Sequence, residues 1–237
     1  MRSIAGALGL SLALASAHSP AAGTWGGSVA LTSDYFVRGV TRTDDQAALQ
    51  LDLHYADSSG ILAGAFASNT QIDAGRSRDI ELNGYLGFVW TGSGDWHGRV
   101  LGGYYVYPWN EVGSSYNYGE LDLDLGYQEW LDVGMSYSPD APRYLSDRGL
   151  IGVSGGSLEL NLQHRVIARL SAASGVGYYS MAGPSGTGFV YWSVGASYDL
   201  APVTLAVSYV DTGAGAKRLF YDEAATGRLS ATVVWRF

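Results

Sequence analysis

Residues Arg228 to Phe237 read RLSATVVWRF. Leu229, Ala231, Val233, Trp235 and Phe237 fall on one side of an extended chain, and Ser230, Thr232 and Arg236 on the other. A period of two is that of a pleated strand with one apolar face. If this strand sets the pattern, the chain upstream is built from strands of similar length.

About twelve segments fit: 25–37, 47–56, 60–68, 79–91, 96–107, 118–128, 131–138, 157–164, 168–179, 190–200, 202–211 and 228–237. Leu49, Leu51, Leu53 and Tyr55 alternate with Gln50, Asp52 and His54. Leu121, Leu123, Leu125 and Tyr127 alternate with Glu120, Asp122 and Asp124, and Leu158, Leu160 and Leu162 with Glu159, Asn161 and Gln163. A soluble sandwich would bury such leucines, whereas a membrane barrel would turn them to lipid, so alternation alone does not separate the two.

The connections separate them. Asp57–Gly60, Gly92–Asp95, the reversal at Glu129–Trp130 and the bend at Ala201 are short, with residues suited to turns. Arg38–Gln46, Asn69–Arg78, Pro108–Asn117, Pro139–Gly156, Ser180–Phe189 and Thr212–Gly227 are long. Short and long connections alternate along the chain. That predicts an all-β, antiparallel, up-and-down transmembrane barrel with short turns at one end and long loops at the other. His164–Ala168 must turn without glycine, proline or asparagine, so counts of ten or fourteen strands stay open beside twelve.

The N-terminus supports an exported protein. Met1-Arg2-Ser3 starts positive, Ile4–Ala15 is apolar, and Ala15-Ser16-Ala17 has small residues suited to cleavage. A signal peptide over residues 1–17 leaves a single barrel domain over 18–237. Cysteine is absent, which excludes disulfides and thiolate chemistry. With 22 acidic against 14 basic side chains and a net charge of −8, the chain lacks the basic footprint that nucleic acid requires.

Trp25, Trp90, Trp96, Trp130 and Trp235 lie at short-turn ends of the expected strands, and Trp109 and Trp192 at long-loop ends. Tyr35, Tyr107, Tyr118, Tyr137, Tyr178 and Tyr191 gather toward the long-loop end as well. Amphipathic rings favour the two membrane interfaces, so both rims are expected to carry aromatic girdles.

The last strand, ending in Phe237, resembles the closing strand of bacterial outer-membrane barrels. That resemblance implies an assembly signal at Phe237 read by the barrel assembly machinery. Ser28-Val-Ala-Leu-Thr-Ser33-Asp34-Tyr35-Phe-Val-Arg38-Gly39-Val-Thr41 resembles the opening signature of the TorF porin family. Ala67-Ser68-Asn69, Glu81–Tyr85, Gly103–Pro108, Glu120–Leu123 and Ser136–Asp140 follow in family order. Asp44-Asp45-Gln46-Ala47 stands where the family often has proline. The resemblance implies an outer-membrane pore among lipid and lipopolysaccharide, with no assigned solute.

With the leucines turned to lipid, Asp34, Asp52, His54, Glu81, Asn83, Glu120, Asp122, Asp124, Asp132, Glu159, Asn161 and Gln163 face the lumen, with Arg99 and Arg169 as basic partners. Asp34 and Arg38, four apart on one strand, share a face and can meet, or Asp34 can meet a charge on a neighbouring strand. An acidic lumen concentrates cations, so the expected function is a passive channel for small solutes or cations. The same carboxylates can instead pair across a filled interior. A non-transporting structural or adhesin-like barrel that uses its loops is the alternative. A lipid hydrolase fits less well: Gly152–Gly156 matches G-x-S-x-G but reads as a loop without a following helix, and His54, His97 and His164 lie near short-turn ends. Asp52 and His54 lack a third metal ligand, so neither metal nor cofactor is expected. The sequence leaves the oligomeric state open.

Overall fold

The structure is a computed structural model, which describes residues 23–71, 79–109, 116–145, 149–183, 187–220 and 222–237. The chain before residue 23, including the expected signal peptide, lies outside the described residues.

Chain order gives β1 (Thr24–Thr32), the two-residue strands β2 (Phe36–Val37) and β3 (Val40–Thr41), then β4 (Ala48–Ala56), β5 (Ile61–Thr70), β6 (Asp79–Thr91) and β7 (Trp96–Val106). β8 (Tyr118–Tyr127), β9 (Leu131–Leu145), β10 (Gly149–Ile167), β11 (Leu170–Met181), β12 (Thr187–Leu200), β13 (Val203–Thr212) and β14 (Arg228–Arg236) complete it. β1 and β4 to β14 close one antiparallel barrel of twelve strands in up-and-down order, with β14 hydrogen-bonded back to β1. Closure leaves the wall without an edge strand, which a bilayer requires because it offers no water to unpaired backbone groups. Two short 3₁₀ turns, Ala216–Arg218 and Asp222–Ala225, lie in the β13–β14 loop.

Alternation decides which side chain faces where. In β4 Ala48, Gln50 and Asp52 are buried while Leu49, Leu51 and Leu53 are exposed. In β6 Glu81, Asn83 and Tyr85 turn inward, and Leu82, Leu86 and Phe88 outward. Leu31, Leu121, Leu158, Val194, Val207 and Val233 extend the exposed apolar surface over β1, β8, β10, β12, β13 and β14. In water this exterior would be a severe liability, whereas against acyl chains each outward side chain is favourably placed. Rings gather at the short-turn rim: Trp25 contacts Tyr55 at 5.5 Å between centroids, Trp96 contacts Tyr127 at 5.0 Å, and Trp235 contacts Phe237 at 5.0 Å. Phe88 stacks on Trp90, and Trp130 meets Tyr127 edge-on. Trp109 is exposed just beyond β7, and Trp192 contacts Tyr209 on the outer wall.

Two expectations change. The strand expected to run to residue 37 stops at Thr32, and the chain folds inward as the β2–β3 ribbon. The long loop expected over Pro139–Gly156 is mostly sheet, because β9 and β10 pair from Leu131↔Leu162 up to Leu145↔Gly149, with a register shift between Val153 and Gly155. Gly152–Gly156 therefore lies within β10, as strand rather than loop.

Candidate functional site

The ribbon that enters the lumen is shaped by its own polar residues. Thr32 Oγ1 donates to the Asp34 carbonyl at 2.8 Å, bending the chain out of β1. Thr43 Oγ1 donates to Asp34 Oδ1 at 2.8 Å, and the Thr41 hydroxyl donates to the same oxygen. The Tyr35 amide donates to Thr43 Oγ1 at 2.9 Å, and the Arg42 amide to the Tyr35 carbonyl at 2.6 Å. From this root Phe36 pairs with Thr41 and Val37 with Val40, leaving Arg38 and Gly39 as the two turn residues. Both have positive φ, 52° and 76°, as the tight hairpin turn that matches strand twist requires. Glycine suits that conformation and the space as well: a Cβ on Gly39 would lie 2.6 Å from Thr212 Cγ2 and 2.7 Å from Tyr191 Cβ. The tip thus touches the β12–β13 wall.

Arg38 is bulkier than the residues that usually occupy such a position, at a conformational cost of about 1–3 kcal/mol. Its contacts offset that cost. Arg38 Nη2 donates to Glu120 Oε2 on β8 at 2.6 Å and to Ser136 Oγ on β9 at 2.8 Å, and its guanidinium carbon lies 4.8 Å from the centroid of Tyr179 on β11. Charge-assisted hydrogen bonds and a cation over a ring face are both strengthened where water is scarce.

The other lumen carboxylates also have named environments. Glu81, 1% exposed, accepts from Tyr35 Oη at 2.9 Å and Tyr107 Oη at 2.6 Å. Asp52 accepts from Tyr85 Oη at 2.7 Å, and its other oxygen lies 2.6 Å from His54 Nδ1. Arg99 Nε donates to Asp124 Oδ2 at 2.9 Å, and Tyr191 donates to Glu159. Burial of a carboxylate is tolerable when such donors replace its hydration. Asp34 faces β14, where Arg228 Nη1 is 3.6 Å away and also 2.9 Å from Asp45. A cavity of about 90 Å³ remains beneath the ribbon, bordered by Arg38, Arg99, Glu120, Asp122, Asp124 and Glu159. Asp122 borders it with no hydrogen-bond partner among the described residues.

The structure places Asp52, Glu81, Asn83, Glu120, Asp122, Asp124 and Glu159 on the inner side of the wall, with Arg99 beside them. His54 reaches the same interior through Asp52. Asp132, Asn161 and Gln163 are half-buried at the lower end of β9 and β10. Arg169 differs: it is exposed in the turn between β10 and β11, because that turn starts only after Ile167 and carries the arginine past the rim. Asp34 and Arg38 do not meet as residues of one strand face. The bend at Ser33–Asp34 separates them, Asp34 turning to Arg228 on a neighbouring strand and Arg38 crossing to Glu120.

The tyrosines divide. Tyr137 and Tyr178 are exposed, whereas Tyr35, Tyr107, Tyr118 and Tyr191 are buried, and three of these donate to lumen carboxylates. The pairing of Arg38 with Glu120 and the tyrosine hydroxyls on Glu81 and Glu159 are not legible in the sequence. The available signal is parity: Tyr107, one residue past β7, lies an even number of residues from Arg99, on the same side of an extended chain. Arg42 lies close enough to Glu81, Tyr107 and Tyr118 to interact with them electrostatically.

The comparisons with known proteins concern this same barrel. KdgM porin superposes with a TM-score of 0.56 at 11% identity, covering 90% of this chain and 99% of its own. NanC porin gives 0.57 at 10% identity, covering 90% and 98%. An outer membrane channel from Pseudomonas putida F1 gives 0.55 at 13% identity, covering 92% and 97%. At these identities the likeness is one of fold, a closed barrel of the porin type. No curated protein matches the sequence. Residues 15–236 match the family described as "Bacterial protein of unknown function (Gcw_chp)", and the chain belongs to that family.

Proposed function

We propose that this protein is an outer-membrane channel in which small cations or small cationic solutes pass down a narrow acidic lumen. The observation that carries the reading is the cavity beneath the ribbon, where among the described residues Glu120, Asp122, Asp124 and Glu159 border it beside two arginines. One-signed charge in a low-dielectric cleft raises the local concentration of counter-ions. A neighbour of the same fold is described in complex with disordered oligogalacturonate, a polycarboxylate. Such an anion would meet an excess of carboxylates here, so its solute class is not transferred.

The reading includes a signal peptide over residues 1–17, assembly through the barrel assembly machinery at Phe237, and contact with lipid and lipopolysaccharide. It also assigns the chain to the TorF porin family. The signature residues Asp34, Arg38, Gly39 and Thr41 are among those that build and seat the ribbon.

A second reading, a barrel that does not conduct, draws support from the long-loop end. There Val40, Phe189, Tyr191, Ala216, Ala224 and Ala225 form a buried apolar cluster between ribbon, wall and the β13–β14 loop. Single-channel recording of the refolded protein in a planar bilayer separates the two. Discrete steps with a reversal potential favouring cations, reduced in Asp122→Asn and Asp124→Asn, are expected of the channel. A correctly inserted barrel without steps would overturn it and turn attention to the loops.

A further inference from the structure

We infer that the wall patch formed by Glu120, Ser136 and Tyr179 is a binding site for guanidinium-type organic cations, and that Arg38 is its tethered occupant. The patch is assembled from β8, β9 and β11, none of which adjoins Arg38 in sequence. It offers a carboxylate, a hydroxyl and a ring face to one planar cation. Those are the three elements that recognise a guanidinium: charge, a hydrogen-bond acceptor and a π surface. Ser136 Oγ is itself fixed 2.7 Å from Ser157 Oγ, so the acceptor is held in place without the ligand.

The occupant is held at a conformational cost. Arg38 sits at a left-handed position where glycine would be unstrained, and its fellow turn residue is already Gly39. Local geometry gives no reason for arginine there, whereas the patch does. Asp122 borders the adjoining cavity without a hydrogen-bond partner among the described residues, so its carboxyl group can accept a hydrogen bond from an incoming cation. A soluble guanidinium compound would therefore compete with Arg38, and release of the tip would widen the lumen. This consequence for permeation rests on the channel reading; the binding site does not.

The test uses Arg38→Gly, which suits the turn and is expected to fold, with methylguanidinium as probe. The thermal transition of the refolded barrel is followed in detergent at constant ionic strength. Methylguanidinium is expected to raise the transition of R38G at a concentration roughly tenfold below any effect on the wild type, a difference equal to about 1.4 kcal/mol. The double variant R38G/E120Q should lose the response, and sodium or urea should not reproduce it. Equal responses in R38G and wild type, or a response retained in R38G/E120Q, would overturn the site. Conductance is read separately. Stabilisation of R38G by methylguanidinium without any conducting steps keeps the site and removes the channel, whereas steps without that stabilisation keep the channel and remove the site.

Discussion

The root and the tip of the inward ribbon are held by different kinds of contact. At the root, Asp34 gathers the hydroxyls of Thr41 and Thr43, residues within ten positions of it along the chain. At the tip, Arg38 reaches Glu120 and Ser136, 82 and 98 positions away. The root is chiefly a local polar fold, to which β14 adds Ser230 Oγ on the Asp34 carbonyl and Arg228 beside its carboxylate. The tip is seated only once the distant wall exists. The contrast teaches that the ribbon's shape and its placement in the lumen are separately encoded, so each can be disturbed alone.

The largest effect should come from Gly39→Val. A branched side chain at φ 76° would meet Thr212 and Tyr191 as well as backbone strain, and should displace the tip. A loss of about 2–4 kcal/mol is expected in denaturant unfolding, with increased conductance if the lumen conducts. Glu120→Gln comes next: it leaves the Arg38 guanidinium without its opposite charge, for about 2–3 kcal/mol by the same measurement. Should both changes leave stability untouched, the tip contributes nothing to the fold.

At the root the effects are smaller. Thr43→Val removes a donor to Asp34 and the acceptor for the Tyr35 amide, with an expected loss of about 1–2 kcal/mol and no change in the guanidinium response of R38G. The smallest effect is one of pH. Burial pushes the Asp34 carboxyl above its ordinary value of 3.8, against the opposing pull of the Thr41 and Thr43 hydroxyls and Arg228. The folded protein then binds this proton more tightly than the unfolded chain does. The contribution of the site is greatest below pH 3.8 and is lost as pH rises through the folded value. The melting difference between wild type and Asp34→Asn should accordingly shift against the wild type with rising pH; an increase in its favour would show that Arg228 dominates.

Much of the barrel is legible in the sequence because the wall is periodic. Leu49, Leu51 and Leu53 against Gln50 and Asp52 define an orientation without reference to any other strand. Asp57–Gly60 and Gly92–Asp95 mark their turns by composition, with Gly60 and Gly94 at positive φ. The ribbon is not legible in that way. Tyr35, Phe36 and Val37 read as more strand, and hydroxyls at Thr32, Thr41 and Thr43, with Ser230 on β14, hold the bend that turns the chain away. Pro139–Gly156 misleads in the other direction. Its prolines and glycines suggest a loop, yet the two arms pair with each other along most of their length, and Arg143 and Ala141 add contacts to the β11 side. Within the site, alternation places the acids, but their partners come from across the lumen. Tyr35 and Tyr107 meet on Glu81 from 46 and 26 positions away, a convergence that no local pattern contains.

The seam between β1 and β14 has a consequence for how the molecule comes into being. Gly27 and Phe237 exchange backbone hydrogen bonds at 3.0 and 3.1 Å, and Thr32 meets Thr232 across a separation of 200 positions. Contacts so remote make closure a slow, late event, since nearly the whole wall must be ordered before the ring gains its last row of bonds. Until then the growing sheet carries two open edges, each able to pair with a foreign strand. The ring is therefore a kinetic device as much as an architectural one: loss of β14 would yield an adhesive sheet rather than a smaller barrel.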